Sequence, residues 1–207
     1  MTYLRDPAAI YAESFATIRA EARLDHLPEA LHKAAIRMIH ACGMVDLAAD
    51  ITGDERIAEA VPMALAAGAP VFCDCEMVRA GLIPRYLPKG VETLVTLSDP
   101  RVPALAQSLK TTRSAAAVSL WAERLGGSIV VIGNAPTALF ALLEGLAAGW
   151  PRPAAIIAAP VGFVGAAESK AALVGSPFGI PFLTVAGRRG GSAITAAGVN
   201  ALAGAPS

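Results

Sequence analysis

The side chain best suited to move a proton near neutral pH in this 207-residue chain is His40. Imidazole has the unperturbed pKa closest to neutrality, so it gives or takes a proton with little adjustment. His40 stands in PEALHKAAIRMIHACG (28–43), one turn after Arg37. A second chemical cluster is GRRGGS (187–192). There Gly187, Gly190 and Gly191 permit close backbone approach, and the forks of Arg188 and Arg189 match carboxylate or phosphate oxygens. A third is GNAPT (133–137), where Gly133 and Asn134 precede a helix start whose free amides suit an anionic or polar group. Each cluster has a plainer reading. His40 could be a core histidine satisfied by one hydrogen bond, GRRGGS a solvated turn, and GNAPT an ordinary strand-to-helix connection.

Other chemistries are poorly served. Cys73-Asp74-Cys75 lacks ligand spacing, and alternate residues of a strand point to opposite faces, so no metal site is expected. Cys42 has no recognisable partner for a nucleophilic role. G-x-G-x-x-G, G-x-x-x-x-G-K-[ST] and G-x-S-x-G are all absent, which removes the usual marks of nucleotide binding and of a serine nucleophile. Lys plus Arg and Asp plus Glu each total 17, a balance that leaves no basic footprint for nucleic acid. Three cysteines are an odd and sparse set that fits a reducing cytosol. The chain start has no signal-peptide pattern, and no apolar run reaches the length of a membrane span, so a soluble cytoplasmic protein is expected. Apolar residues make up 55% and charged ones only 16%, a composition that predicts self-association to cover surface.

The elements that must position these residues follow from periodicity. Asp6-Pro7 caps a helix through about residue 22, with Ile10, Phe15 and Ile18 on its apolar side and Tyr11 near Ser14 at the edge. Residues 28–43 form the second helix: Leu31, Ala35, Ile39 and Cys42 make one buried stripe, His40 sits beside it, and Gly43 is a left-handed stop. A third helix runs from about 54 to 67, with Pro62 bending or breaking it. From residue 69, short apolar runs alternate with helices. APVFCD, VETLVTLS, SIVVIG, AAIIAAPV and PFLTVAG read as five strands, with helices at 76–80, 112–125, 136–148, 168–173 and 192–202. Strands apolar on both faces and separated by helices indicate an α/β three-layer sandwich around a mainly parallel five-stranded sheet. The chain reads as a single α/β domain over 1–207, with 1–67 as a helical extension and 68–207 as the sheet core. Ligands in such sheets bind at the carboxyl ends of the strands, where GNAPT and GRRGGS fall.

RMIHACGMVDL (37–47), DCEMVRAGL (74–82), TTRSAAAV (111–118), IGNAPTALF (132–140), PVGFVGAAESK (160–170) and GRRGGSAITAAGVNAL (187–202) together resemble the precorrin-8X methylmutase family of cobalamin (vitamin B12) biosynthesis. The resemblance spans nearly the whole chain, with its motifs in order. It implies a homodimeric, cofactor-free isomerase that moves a methyl group between neighbouring ring carbons of precorrin-8X, a tetrapyrrole, to give hydrogenobyrinic acid. The family histidine corresponds to His40, as proton donor and acceptor. Because the substrate carries many carboxylates around an apolar ring, Arg113, Arg188 and Arg189 are expected near them, with Lys170 weaker. Gly133, Asn134 and Gly190 supply close backbone approach, and Ser14 a hydrogen bond from the first helix. Two other readings are a tetrapyrrole carrier that delivers an intermediate without chemistry, in which His40 is dispensable, and a nucleotide-dependent oxidoreductase, disfavoured by the missing phosphate fingerprint.

Overall fold

The computed structural model describes residues 3–206. Five parallel strands form its centre: β2 (Val71–Cys73), β3 (Thr93–Val95), β4 (Ile129–Ile132), β5 (Ala155–Ala158) and β6 (Phe182–Val185). All five fall inside the runs expected from sequence. A sixth strand, β1 (Ile51–Gly53), was not expected. It adds antiparallel to the edge of β6 with Ile51 opposite Val185, giving the order β1-β6-β5-β4-β2-β3. The sheet is therefore mixed and six-stranded. Three residues directly after a helical segment are too few to show a period of two, and β1 exists only because β6 offers it an edge. Ile51–Gly53 thus places part of the expected helical extension within the sheet itself.

The strand residues alternate between two cores. Val71, Cys73, Ile129, Val131, Ile157 and Leu183 face one side, while Phe72, Val130, Ile132, Ile156 and Ala158 face the other. Each fully buried Val, Ile or Leu contributes roughly 1.5–3 kcal/mol of transfer free energy, so strands apolar on both faces demand cover on both. On the first face lie α2 (Glu29–Cys42), α3 (Ile57–Ala66), α4 (Glu76–Gly81) and α9 (Ser192–Leu202). The second face carries α6 (Arg113–Ser119), α7 (Pro136–Ala147) and α8 (Ala166–Val174), with α5 (Val102–Ser108) packed against α6. The remaining helix, α1 (Pro7–Glu21), lies outside α2 and buries only Phe15 and Ile18.

Four local features differ from expectation. Pro62 neither ends nor breaks α3, because it sits on the exposed side where water can take the carbonyl left without an amide. The helix expected over 112–125 stops at Ser119 and continues as a 3-10 turn at Ala122–Arg124. α5 went unrecognised: it is one short stretch in which Val102 alone is buried. Ile10, expected on the apolar side of α1, is 45% exposed and borders a groove.

The end of α2 is what positions the chemistry. Asp6 caps α1 through the Ala9 amide at 2.7 Å, and Pro7 opens that helix. α2 begins after Pro28, buries Leu31, Ala35 and Ile39 completely, and stops at Gly43, whose φ of 69° places it in the left-handed region. A 3-10 turn at Val45–Asp50 then leads into β1. Since β1 starts opposite the last residue of β6, the last turn of α2 lies at the carboxyl end of the parallel strands.

Candidate active site

His40 occupies that last turn of α2 and opens onto a groove of about 500 Å³ between α1 and α2. Leu4, Ile10, Ser14, Ile18, Ile39 and Val45 are among its walls, with the carboxylates of Glu13 and Glu21 along one side. Three aromatic rings meet here. The imidazole stacks on Phe15 at 4.8 Å between centroids and 22° between planes, and Tyr11 tilts against it at 5.4 Å. Tyr11 and Phe15 are one helical turn apart and touch each other at 5.1 Å. The Nδ1 atom of His40 lies 2.9 Å from Ser14 Oγ, in a hydrogen bond whose direction follows the ring's tautomer. With Nδ1 held by Ser14, Nε2 is the nitrogen left for a ligand. Burial holds the His40 pKa below the ordinary imidazole value, and the positive charge of Arg37 lowers it further. Both causes favour the neutral ring and make the protonated ring a stronger acid.

Ser14 and His40, 26 residues apart in sequence, are the two expected site residues that the fold brings into contact. The others lie away from this groove. Gly133 and Asn134 follow β4 as expected, but their amides are already engaged. Gly133 and Asn134 donate to the Asp74 carboxylate at 3.0 and 2.9 Å, and Ala135 adds a third bond at 2.8 Å. Asp74 leaves β2, the neighbour of β4, at the point where the strand order reverses and open α/β sheets usually bind anions. The protein's own carboxylate fills that position. Burial raises the Asp74 pKa against the pull of the three amides.

The arginines divide. Arg189 is half-buried and paired within the chain: Nη1 donates to Asp46 at 2.7 Å, and Nε and Nη2 donate to Asp50 at 2.9 and 2.5 Å. Its guanidinium therefore ties the glycine-rich loop after β6 to the 3-10 turn that follows the His40 helix. Lys170 is similarly engaged; 1% exposed, it donates to the Arg189 carbonyl at 2.6 Å, and burial lowers its pKa to about 8. Gly190 lies beneath the end of β5 with φ of 152°, where a Cβ would collide with the Ala159 carbonyl. Arg188 is exposed, its guanidinium 5.3 Å from the ring of Phe163, itself 85% exposed. Arg113, also exposed, opens α6 and reaches only the Leu97 carbonyl at 3.5 Å. Neither pairs with a carboxylate among the described residues.

Sequence reasoning missed the company His40 keeps. Tyr11 and Phe15 showed their four-residue spacing, and Arg37 its place one turn before His40, but nothing in the sequence says that α1 crosses α2 at that height. Asp46 and Asp74 stood inside quoted motifs without a role, and Asp50 lay outside them. Cys73 and Cys75 are buried, with Cys75 Sγ 3.6 Å from Ser192 Oγ. Burial pushes the Cys73 thiol above its ordinary range, which makes it inert.

A mixed α/β sheet whose packed helix α2 ends in an imidazole, hydrogen-bonded through Nδ1 and open to a groove, is an arrangement suited to acid–base chemistry. Comparison with known proteins names the group. The family model described as CbiC, precorrin-8X methylmutase, matches residues 9–205. A precorrin-8X methylmutase of Sinorhizobium sp is 55% identical over 201 residues, covering 97% of this chain and 96% of the relative. The cobalt-precorrin-8 methylmutase of Salmonella typhimurium is 40% identical, covering 98% and 97%. A crystal structure of the precorrin-8X methylmutase from Thermus thermophilus superposes with a TM-score of 0.84 at 37% identity, covering 95% of this chain and 94% of that one. The chain belongs to the precorrin-8X methylmutase family, the isomerases of cobalamin biosynthesis. Its relatives carry the name of an enzyme and not of a carrier. Among the described residues no helix is long and apolar enough to cross a membrane.

Proposed function

We propose that this protein rearranges precorrin-8X to hydrogenobyrinic acid, with His40 as the group that delivers and then removes a proton. The observation that carries the assignment is the Ser14–His40 pair at the groove between α1 and α2, which engages Nδ1 and leaves Nε2 without a hydrogen bond among the described residues. Protonating the conjugated macrocycle makes it electron-poor, and the neighbouring methyl group migrates with its bonding pair to the deficient carbon. Loss of a proton from the rearranged ring restores conjugation. One imidazole, starting as imidazolium and passing through imidazole, serves both steps, so the net change is the position of the methyl group. The depressed pKa of His40 favours the first step, because the protonated ring is a stronger acid. The relative named precorrin-8X methylmutase is 55% identical and the one named cobalt-precorrin-8 methylmutase is 40% identical, which supports the substrate without cobalt.

Ser14, itself on the groove wall, acts on the imidazole through Nδ1, holding its plane and its tautomer. Arg113 and Arg188 keep exposed guanidinium groups that suit the carboxylates at the rim of the substrate. A groove of about 500 Å³ beside α1 is small for a whole tetrapyrrole, and Tyr3, Leu4 and Ile10 stay exposed near it. Phe163 and Val164 are exposed at 85% and 89%. These surfaces support a homodimer, and light scattering behind a sizing column is expected to give twice the chain mass. A stable monomer would reject it. The assignment of His40 is tested by incubating His40→Ala with precorrin-8X and following the absorption of the corrin product. A fall in turnover of at least ~100-fold is expected, and near-wild-type conversion refutes it.

A further inference from the structure

Arg37 is a buried guanidinium in surroundings where an apolar side chain would cost less. It is 5% exposed, and no carboxylate oxygen lies within 4 Å of it among the described residues. Among the described residues its hydrogen bonds go to neutral oxygens, the Pro206 carbonyl and, at 3.3 Å, the Tyr11 hydroxyl. Three ring faces surround it, Phe15 at 5.8 Å, Tyr86 at 5.9 Å and Tyr11 at 6.0 Å from its central carbon. Ring faces and a phenol oxygen attract a cation, yet they return less than an anion would for the lost hydration. A charge kept at such a cost, against two of the three rings that meet at His40, calls for a role beyond packing.

We propose that Arg37 is a positioning residue for the methyl-transfer reaction, fixing the Tyr11–Phe15–His40 ring cluster and setting a permanent positive charge behind the His40 imidazole. The inference rests on the reading of His40 given above. The charge works in one direction. It disfavours the imidazolium, so the protonated ring surrenders its proton to the substrate more readily. The other ionisable groups on this side are the Tyr11 phenol, the Glu13 and Glu21 carboxylates and, over the Phe15 ring at 5.9 Å, the Arg19 guanidinium of α1, with the Tyr86 phenol beside Arg37. Gly43 and Val45, which close the groove after α2, carry no charge. Of these groups, the carboxylates favour imidazolium and Arg37 opposes them. The arrangement also anchors three separate pieces of chain to the catalytic helix: α1 through Tyr11 and Phe15, the 84–86 turn through Tyr86, and the end of the described chain through Pro206.

The test is a proton NMR titration of the imidazole ring in the full-length, ligand-free protein, with the His40 signal assigned through His40→Gln. In Arg37→Met the midpoint of His40 is expected to rise by roughly 0.5 to 1 pH unit, while Arg37→Lys keeps it near the wild-type value. The acidic limb of the kcat profile shifts with it, and KM stays within about twofold. A purely structural Arg37 would leave the midpoint in place, so an unchanged midpoint in folded Arg37→Met overturns the proposal. Arg37→Gln keeps a donor for the Pro206 carbonyl without the charge and is expected to show the same rise where Arg37→Met does not fold. If both neutral variants fail to fold while Arg37→Lys folds, the residue is structural and the proposal falls. The midpoint is read without turnover. An active His40→Ala would therefore sink the catalytic reading separately, leaving the Arg37–His40 coupling measured in its own right.

Discussion

Removing one oxygen atom beside the imidazole separates orientation from chemistry. In Ser14→Ala the 2.9 Å bond to His40 Nδ1 is lost, while Phe15 still stacks on the ring at 4.8 Å and Tyr11 still closes it from the side. The lost bond is worth about 0.5–1.5 kcal/mol net, since the site is partly exposed and water can replace the hydroxyl. That range corresponds to a decrease in kcat of roughly two- to tenfold. The stability of the fold should change by less than about 1 kcal/mol for the same reason. KM should stay within about twofold, because the Ser14 hydroxyl is engaged by His40 Nδ1 rather than by the ligand. The assay is steady-state conversion of precorrin-8X for wild type, Ser14→Ala, His40→Ala and the double variant. With His40 gone, Ser14 has nothing left to orient, so the double variant should be no slower than His40→Ala. A Ser14→Ala loss as large as that of His40→Ala would refute the orienting role, as would multiplicative losses in the double variant.

Two further outcomes concern the loop that ties the His40 helix to the sheet. Gly190→Ala should lower stability by roughly 3 kcal/mol or more, read as a fall in the denaturant midpoint, because its φ of 152° and the Ala159 carbonyl both exclude a Cβ. Wild-type stability in that variant would show that the loop moves freely. Lys170 has its pKa lowered from 10.5 to about 8, so the unfolded chain binds more protons between those values and the contribution of Lys170 to stability rises with pH across that window. Denaturant unfolding of wild type and Lys170→Met, compared at pH 7 and pH 10, should show the difference moving in favour of wild type at the higher pH. No movement would mean that Lys170 is not desolvated in the folded state.

Much of the architecture was legible because burial on two sides leaves a plain mark. Val71–Cys73, Ile129–Ile132 and Ala155–Ala158 are fully buried strands, and the sequence carries each as a short apolar run between helical stretches. The end of α2 was legible through Gly43, and α1 through Asp6 and Pro7. β1 was invisible because its three residues acquire a partner only at the edge of β6. The arginines illustrate a second limit. Sequence shows that Arg188 and Arg189 carry fixed charges, but whether a charge is free depends on what faces it, and Asp46 and Asp50 come from a segment about 140 residues away to face Arg189.

By itself the sequence determined the local matters: which segments bury one face or two, where helices begin and end, and which imidazole sits on the last turn of α2. These depend on propensity and periodicity, which act over a few residues. Only the tertiary structure decided that Ser14 stands beside His40, that Asp74 fills the turn at Gly133 and Asn134, that Arg189 is held by two aspartates, and that Arg37 lies buried against the rings of Tyr11 and Phe15. The physical reason is that a hydrogen bond or an ion pair forms between whichever groups packing brings within about 3 Å, and that distance is set by how α1, α2 and the sheet stack, not by separation along the chain.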